Sequence, residues 1–239
     1  MLKVLSGDVE ARNPVLMDRI YRFRHDFFVD HLKWEACRKP DGRERDQFDG
    51  PDCLHVVGQE PVGRQTTDQE LAGQQTAGQA SEVIVSYSRL LPTTRPHLQT
   101  HLYPELLKGA SAPSGPRIYE WTRCAVAPAK RESAKGVDAV SGASFTAVAE
   151  AAEHFGLEGL LVQTHPVLVT RLMEMGWDVE PLALPCPYGD SLLLPIYARL
   201  TPETVATCRR VFGLPGSVLR MPAPDSPRPA ARSSRRPMP

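Results

Sequence analysis

The sequence holds 239 residues, 41% of them hydrophobic, with 28 basic side chains set against 28 acidic ones, enough for one substantial core in an ordinary globular protein. That balance argues against a general binder of nucleic acid or membranes, and no stretch approaches the ~18 consecutive apolar residues of a bilayer span. Five cysteines, Cys37, Cys53, Cys124, Cys186 and Cys208, are odd in number, widely spaced and without a CxxC pair, which points to neither a disulfide framework nor a zinc site and predicts reduced thiols in the cytoplasm.

In chain order, Asn13 and Pro14 offer a cap and a first-turn proline, after which Leu16, Ile20, Phe23 and Phe27 recur at helical steps. Arg24 and Phe28 follow two of these positions by one residue, which places them at the margin of the buried stripe. Residues 54–57 and 83–87 read as short strands, and the polar stretch 59–81 between them, with six glutamines, reads as a long loop that costs little closure entropy. Further on, the pattern predicts a helix starting at 141–144 and ending at 155, with Phe145, Val148, Ala149 and Ala152 inward. A strand at 160–163, a helix over 166–175 closed by Gly176, a strand at 191–200 and a helix over 202–212 closed by Gly213 complete it. This order describes an α/β layered domain with a mixed sheet. Residues 221–239 carry six prolines, four arginines, one acid and no aromatic residue, too little apolar surface to offset ordering entropy. The domain is therefore expected over 1–220, followed by a disordered tail.

Between residues 22 and 52 charged and aromatic side chains interleave at a density that a purely structural segment does not need. Two other spots join it: Ser88-Arg89-Leu90-Leu91-Pro92-Thr93 at a strand end, and Glu120-Trp121-Thr122-Arg123 in an apolar-rich run. Taken together, Arg24, Phe28, Trp34, Asp46, Asp49, Arg89, Glu120 and Arg123 stand in an order and spacing that resembles the LuxI-type acyl-homoserine lactone synthases. The family's pattern is an arginine and a phenylalanine on the first helix, a tryptophan, a DxxD pair, an RLLPT strand end and an E-x-x-R. The likeness spans about residues 16–177, and Tyr103 replaces the phenylalanine usual before the Pro-Glu that follows the RLLPT strand.

That resemblance implies an N-acetyltransferase-like (GNAT) α/β/α sandwich and the synthesis of a quorum-sensing autoinducer. S-adenosylmethionine and an acyl thioester would form an amide at the methionyl amine, and the carboxylate would then displace 5'-methylthioadenosine to close the lactone. S-adenosylmethionine is a co-substrate in this scheme, and no cofactor or metal is called for. The amine must lose a proton to attack, with Glu120 and Asp46 as acceptors, directly or through water. The sulfonium needs an aromatic face, for which Trp34 and Phe28, and more weakly Trp121, are suited. Arg24 is assigned to anchoring the ligand at the catalytic centre, and Asp49, Arg89 and Arg123 to an ion-pair network with Asp46, Glu120 and Arg24.

Thr164, Leu168 and Leu172 are expected to wall the acyl tunnel, Thr164 standing near where some members read a 3-oxo group, while His165 reads as a turn residue. The donor is either acyl-coenzyme A or acyl carrier protein, and residues 39–49 are closest to members that use coenzyme A thioesters of branched or aromatic acids. Two rivals stay open. A GNAT-type N-acyltransferase for a simple amine would want a glycine-rich pyrophosphate loop, where only Lys135-Gly136 and Ser141-Gly142-Ala143-Ser144 stand. A non-catalytic relic would bind S-adenosylmethionine without releasing methylthioadenosine.

Overall fold

The computed structural model describes residues 1–61, 82–131, 139–189 and 191–220; most of the expected long loop and the whole expected tail lie outside the described residues. Strands β1 (Leu2–Leu5), β2 (Leu54–Pro61), β3 (Glu82–Pro92) and β4 (Ile118–Val126) pair antiparallel in succession. Strand β5 (Gly159–Thr164) then lies parallel to β4, and β8 (Ser191–Arg199) returns antiparallel to β5. Strands β6 (Asp178–Pro181) and β7 (Cys186–Tyr188) both pair with β8, and β9 (Leu219–Arg220) lies parallel to β1 at the far edge. The sheet is therefore mixed, as the sequence pattern predicts.

The parallel step from β4 to β5 requires a crossover, which helix α4 (Ala139–His154) provides. Helices α1 (Val9–Arg12), α2 (Pro14–Arg24) and α3 (Leu98–His101) precede it, and α5 (Val167–Glu174) and α6 (Thr204–Val211) follow. Two expectations need adjustment. The polar stretch begins later than its composition suggests, because β2 runs through Gln59, which is buried in the sheet, to Pro61. Short edge strands β1, β6, β7 and β9 were not legible, since four or fewer residues carry no periodicity of their own and take their conformation from a neighbour.

Strand alternation gives the sheet two different faces. On one, Leu54, Val56, Leu90, Tyr119, Trp121, Leu160 and Val162 meet Ala147, Val148, Ala149, Ala151 and Ala152 of α4 in the main core. Small side chains let α4 lie close: a Cβ on Gly142 would come within 2.7 Å of the Phe212 ring beside α6. The other face packs Tyr21 of α2 against Val57, Ile84 and Tyr87, then turns polar toward β4.

Two irregularities in β4 position the site. Its pairing with β5 ends at Glu120 opposite Leu161, although the strands continue to Val126 and Thr164, so the two central strands part. Beyond that point a bulge against β3 shifts the register between Tyr87 and Arg89, and Arg123 adopts φ 54°.

Candidate active site

Asn13 caps α2 by accepting from the backbone N–H of Leu16 at 3.1 Å, with Pro14 in the first turn. The helix then widens into a π-turn over His25–His31, a form that concentrates at functional sites. An extra residue in the turn rotates Phe27, Phe28 and Val29 inward together, so the marginal placement expected for Phe28 is corrected: it is 2% exposed. Arg24, also expected at the margin, is 0% exposed, because the 32–53 segment folds over it and supplies carboxylates.

Those carboxylates build a six-membered network. Arg24 donates from Nε to Glu44 at 2.6 Å and from both Nη atoms to Asp49 at 2.7 and 3.0 Å. Arg89 of β3, equally buried, donates to Asp46 at 2.8 and 3.0 Å, to Asp49 at 2.7 Å and to Thr122 at 3.1 Å. Arg123 donates to Glu44 at 3.1 and 2.9 Å and to Asp46 at 3.0 Å. By simple alternation Arg123 would face α4; the bulge and its left-handed backbone turn it onto the face of Thr122, a recurrent use of bulges. Three cations and three anions cancel here, and burial makes each pairing worth more than it would be in water. Burial by itself would raise Glu44, yet Arg24 and Arg123 outweigh it and hold its carboxyl at about 2. Asp49 is likewise pushed up by burial and pulled further down by Arg89 and Arg24.

Glu44 is the member that sequence reasoning missed. Its place in the network had been assigned to Glu120, and that assignment is corrected. Glu120 is fully buried on the same sheet face, but its oxygens accept from the backbone N–H groups of Leu98 and Gln99, both at 2.8 Å, at the start of α3. The signal for Glu44 lay in the RERD run, where three ionisable neighbours flank Asp46 and only tertiary contacts choose among them.

Trp34 stacks on Phe28 with ring centroids 4.9 Å apart, and the Arg123 guanidinium lies 5.5 Å from the Phe28 centroid and 5.8 Å from that of Trp34. The Trp34 ring is 45% exposed over the network, an open aromatic face beside carboxylates, which is what a sulfonium cation seeks. Trp121 does not join it. As a β4 residue of opposite parity it packs in the main core, edge-to-face with Phe145 of α4 at 5.8 Å; its nomination for the sulfonium is corrected. Arg24 is corrected as a direct anchor as well, since its guanidinium is sealed beneath Glu44 and Asp49. In the network Arg123 and Asp46 are the members with the most side-chain exposure, 8% and 14%.

On the α4 face, Thr164 continues the Leu160 and Val162 side of β5, and Leu168 and Leu172 of α5 pack against the same core as Trp121. His165 is exposed and accepts from the Val167 N–H at 3.2 Å, the turn role expected of it. Among the described residues, His25, Asp26 and Asp30 bring three ligand-type atoms within 4.8 Å, but Asp30 is shared with Arg38 at 3.2 Å and both acids face solvent. All five cysteines are free thiols.

A mixed sheet whose central strands part beside a bulge, with a charge cluster on one face and an α-helical crossover on the other, is a GNAT-like arrangement. Comparison with known proteins narrows this. The sequence matches the autoinducer synthase family over residues 8–204, and the chain belongs to that family of acyl-homoserine-lactone synthases. It is 27% identical over 217 residues to the isovaleryl-homoserine lactone synthase of Bradyrhizobium diazoefficiens, covering 89% of this chain and 84% of that one. To the acyl-homoserine-lactone synthase of Acinetobacter nosocomialis it is 29% identical over 175 residues, covering 72% and 85%. Among solved structures, the coenzyme A-dependent acyl-homoserine lactone synthase BjaI, with S-adenosylmethionine and isopentyl-coenzyme A, aligns at TM-score 0.75 and 25% identity over 94% of both chains. The coenzyme A-dependent MesI aligns at 0.74 and 26% over 92% of this chain and 98% of that chain. Among the described residues, no helix is long and apolar enough to cross a membrane.

Proposed function

We propose that this synthase acylates the amine of S-adenosylmethionine from an acyl-coenzyme A thioester and then closes the homoserine lactone with release of 5'-methylthioadenosine. The observation that carries the assignment is the open Trp34 face stacked on buried Phe28 above a charge-neutral network, 45% exposed where the other network-side aromatics are sealed. The sulfonium rests against that indole. Asp46 and Arg123, the network members with an edge open to solvent, meet the methionyl ammonium and carboxylate. Arg24, Arg89, Glu44 and Asp49 hold those two in place, so the site is preorganised rather than assembled on binding. No resident cofactor is called for, and the cytoplasm, where both co-substrates are made, is the proposed location.

The acyl chain lies toward the α4 face, past the point where β4 leaves β5, with Thr164, Leu168 and Leu172 along its path. Coenzyme A is favoured over acyl carrier protein because two structural relatives with nearly full mutual coverage are named as coenzyme A-dependent. The test is methylthioadenosine release by the purified chain with S-adenosylmethionine and a panel of straight and branched acyl-coenzyme A and acyl carrier protein thioesters, products followed by mass. Lactone formed from a coenzyme A thioester is the expected result. Turnover with carrier-protein thioesters alone would reverse the donor assignment, and acyl transfer without methylthioadenosine would replace the synthase by a simple N-acyltransferase.

A further inference from the structure

Beside the network, on the same sheet face, sits a buried pair that the scheme above leaves unused. His97 is 2% exposed and Glu120 0%. The imidazole Nδ1 lies 3.3 Å from Glu120 Oε2, close enough for charge to be felt, yet it is not aligned for a hydrogen bond and has no other partner. A buried imidazole nitrogen left without a hydrogen bond costs free energy, and such an atom calls for an explanation outside packing.

We propose that His97 takes the proton that the methionyl ammonium must lose, and that Glu120 is the carboxylate that holds the imidazole rather than the base itself. This inference rests on the synthase reading and deepens it. Both Glu120 oxygens already accept backbone N–H groups at 2.8 Å, so the carboxylate is committed to holding the start of α3. Asp46 is no better placed to accept a proton, since Arg89 and Arg123 both bind it. A carboxylate pinned by backbone donors and touching an otherwise unpartnered imidazole is how a histidine base is oriented in other enzymes.

Register places the pair where the chemistry must occur. Glu120 stands opposite Leu91, two residues along the strand from Thr122 opposite Arg89, so the pair and the network are neighbours on one face. The same residue marks the last β4–β5 pair before the strands part. Across that opening, Gln163 of β5 donates to the Gln99 side chain at 2.7 Å, and β5 contributes this uncharged amide there. Tyr103 after α3 has a phenol raised by burial that senses Tyr188, Arg123, Cys37 and Glu120, Arg89 stands two positions along the face opposite Thr122, and His101 of α3 faces solvent. In the step itself the ammonium gives one proton to His97 and becomes the nucleophile. The nitrogen bonds to the thioester carbonyl carbon, the C–S bond leaves its electron pair on sulfur, and the second nitrogen proton neutralises the thiolate. His97 then releases its proton to solvent.

The test is the pH dependence of kcat/KM for methylthioadenosine release by the full chain, with S-adenosylmethionine binding and thermal unfolding measured alongside. Wild type should show an acid limb that depends on His97. His97→Gln keeps an amide able to face Glu120 but cannot ionise in this range; it should bind S-adenosylmethionine within about twofold of wild type and lose about 100-fold or more in kcat, as for a missing general base. Glu120→Gln should remain active at reduced kcat, because an amide can still face the imidazole while the base itself is kept. A folded His97→Gln within about threefold of wild type with the same acid limb would overturn the proposal. Complete loss of activity in a folded Glu120→Gln would overturn it too, by making Glu120 the base, and this holds even where His97→Gln fails to fold. Inactivity of wild type itself would instead count against the synthase reading.

Discussion

Tyr119 and Trp121 of β4 pack on the alanines of α4, whereas Glu120 and Thr122, offset by one residue, face the charge network and α3. The contrast lies in how the two faces fail. Apolar packing is spread over many small contacts, so a change there costs in proportion to the volume removed. The charged face is stable only as a complete set, because taking out one member leaves a buried ion uncompensated. Asp49 is the sharpest case, with 4% of its side chain exposed and bonds to both Arg24 and Arg89, each 0% exposed. Asp49→Ala should lower the unfolding free energy by about 3–5 kcal/mol in urea titrations at neutral pH; a loss below about 1 kcal/mol would mean that water replaces the carboxylate and the set is not closed.

Acid should dissolve this set and spare the other face. Folding lowers the Glu44 carboxyl from 4.5 to about 2 and depresses Asp49 below its ordinary 3.8, so the unfolded chain binds these protons more readily. Their contribution is therefore complete above about pH 4.5 and drains away as pH falls toward about 2. Unfolding titrations across that window should show the fall in wild type and a shallower one in Asp49→Ala. Equal slopes would assign acid lability to other carboxylates.

On the opposite face the comparable change is Trp121→Ala. The ring is 4% exposed, and its loss should cost about 3–5 kcal/mol through the cavity left against Phe145. S-adenosylmethionine binding by the folded fraction should be unchanged. Glu150 of α4 is the charged exception on this side: 2% exposed, it accepts from Arg209 at 2.6 Å, Ser217 at 2.8 Å and the Leu219 N–H at 2.9 Å, tying β9 to the edge of the sheet. Glu150→Ala strands those donors and should cost about 2–3 kcal/mol, read by thermal unfolding, with methylthioadenosine release per folded molecule intact.

The same contrast explains what could be read in advance. Long periodic segments announced α2, α4, β3 and β8, because burial of one face imposes a period that survives in the sequence. Five of the six network residues, Arg24, Asp46, Asp49, Arg89 and Arg123, were legible too, since acids and arginines that no helix or strand face requires stand out. Their pairing was not. Glu44 and Glu120 are alike in sequence, and only the fold of the 32–53 segment and the start of α3 at Leu98 decide which one meets Arg123 and which one caps a helix. Phe28 was misplaced for a related reason, as a π-turn breaks the 3.6-residue period on which the helical reading relied, and Arg24 because the 32–53 segment covers it. The bulge that redirects Arg123 depends on a positive φ at a non-glycine residue, which leaves no mark on the sequence.

The smallest structural effect should accompany the largest effect on ligand. Trp34 is 45% exposed and stacks on one side only, so Trp34→Ala removes little buried area and should change unfolding free energy by less than about 1 kcal/mol. In the proposed site the sulfonium then loses its aromatic partner, a contact worth about 1–2 kcal/mol when partly desolvated, so S-adenosylmethionine should bind about tenfold more weakly. The acyl donor, proposed to approach from the parted strands, should be affected less. Trp34→Phe keeps a ring face and should recover most of the binding. Calorimetric titration of both co-substrates against the two variants separates the possibilities: equal weakening of both ligands together with a large loss of stability would move Trp34 from the ligand side of the comparison to the packing side, and would leave the network without its aromatic lid.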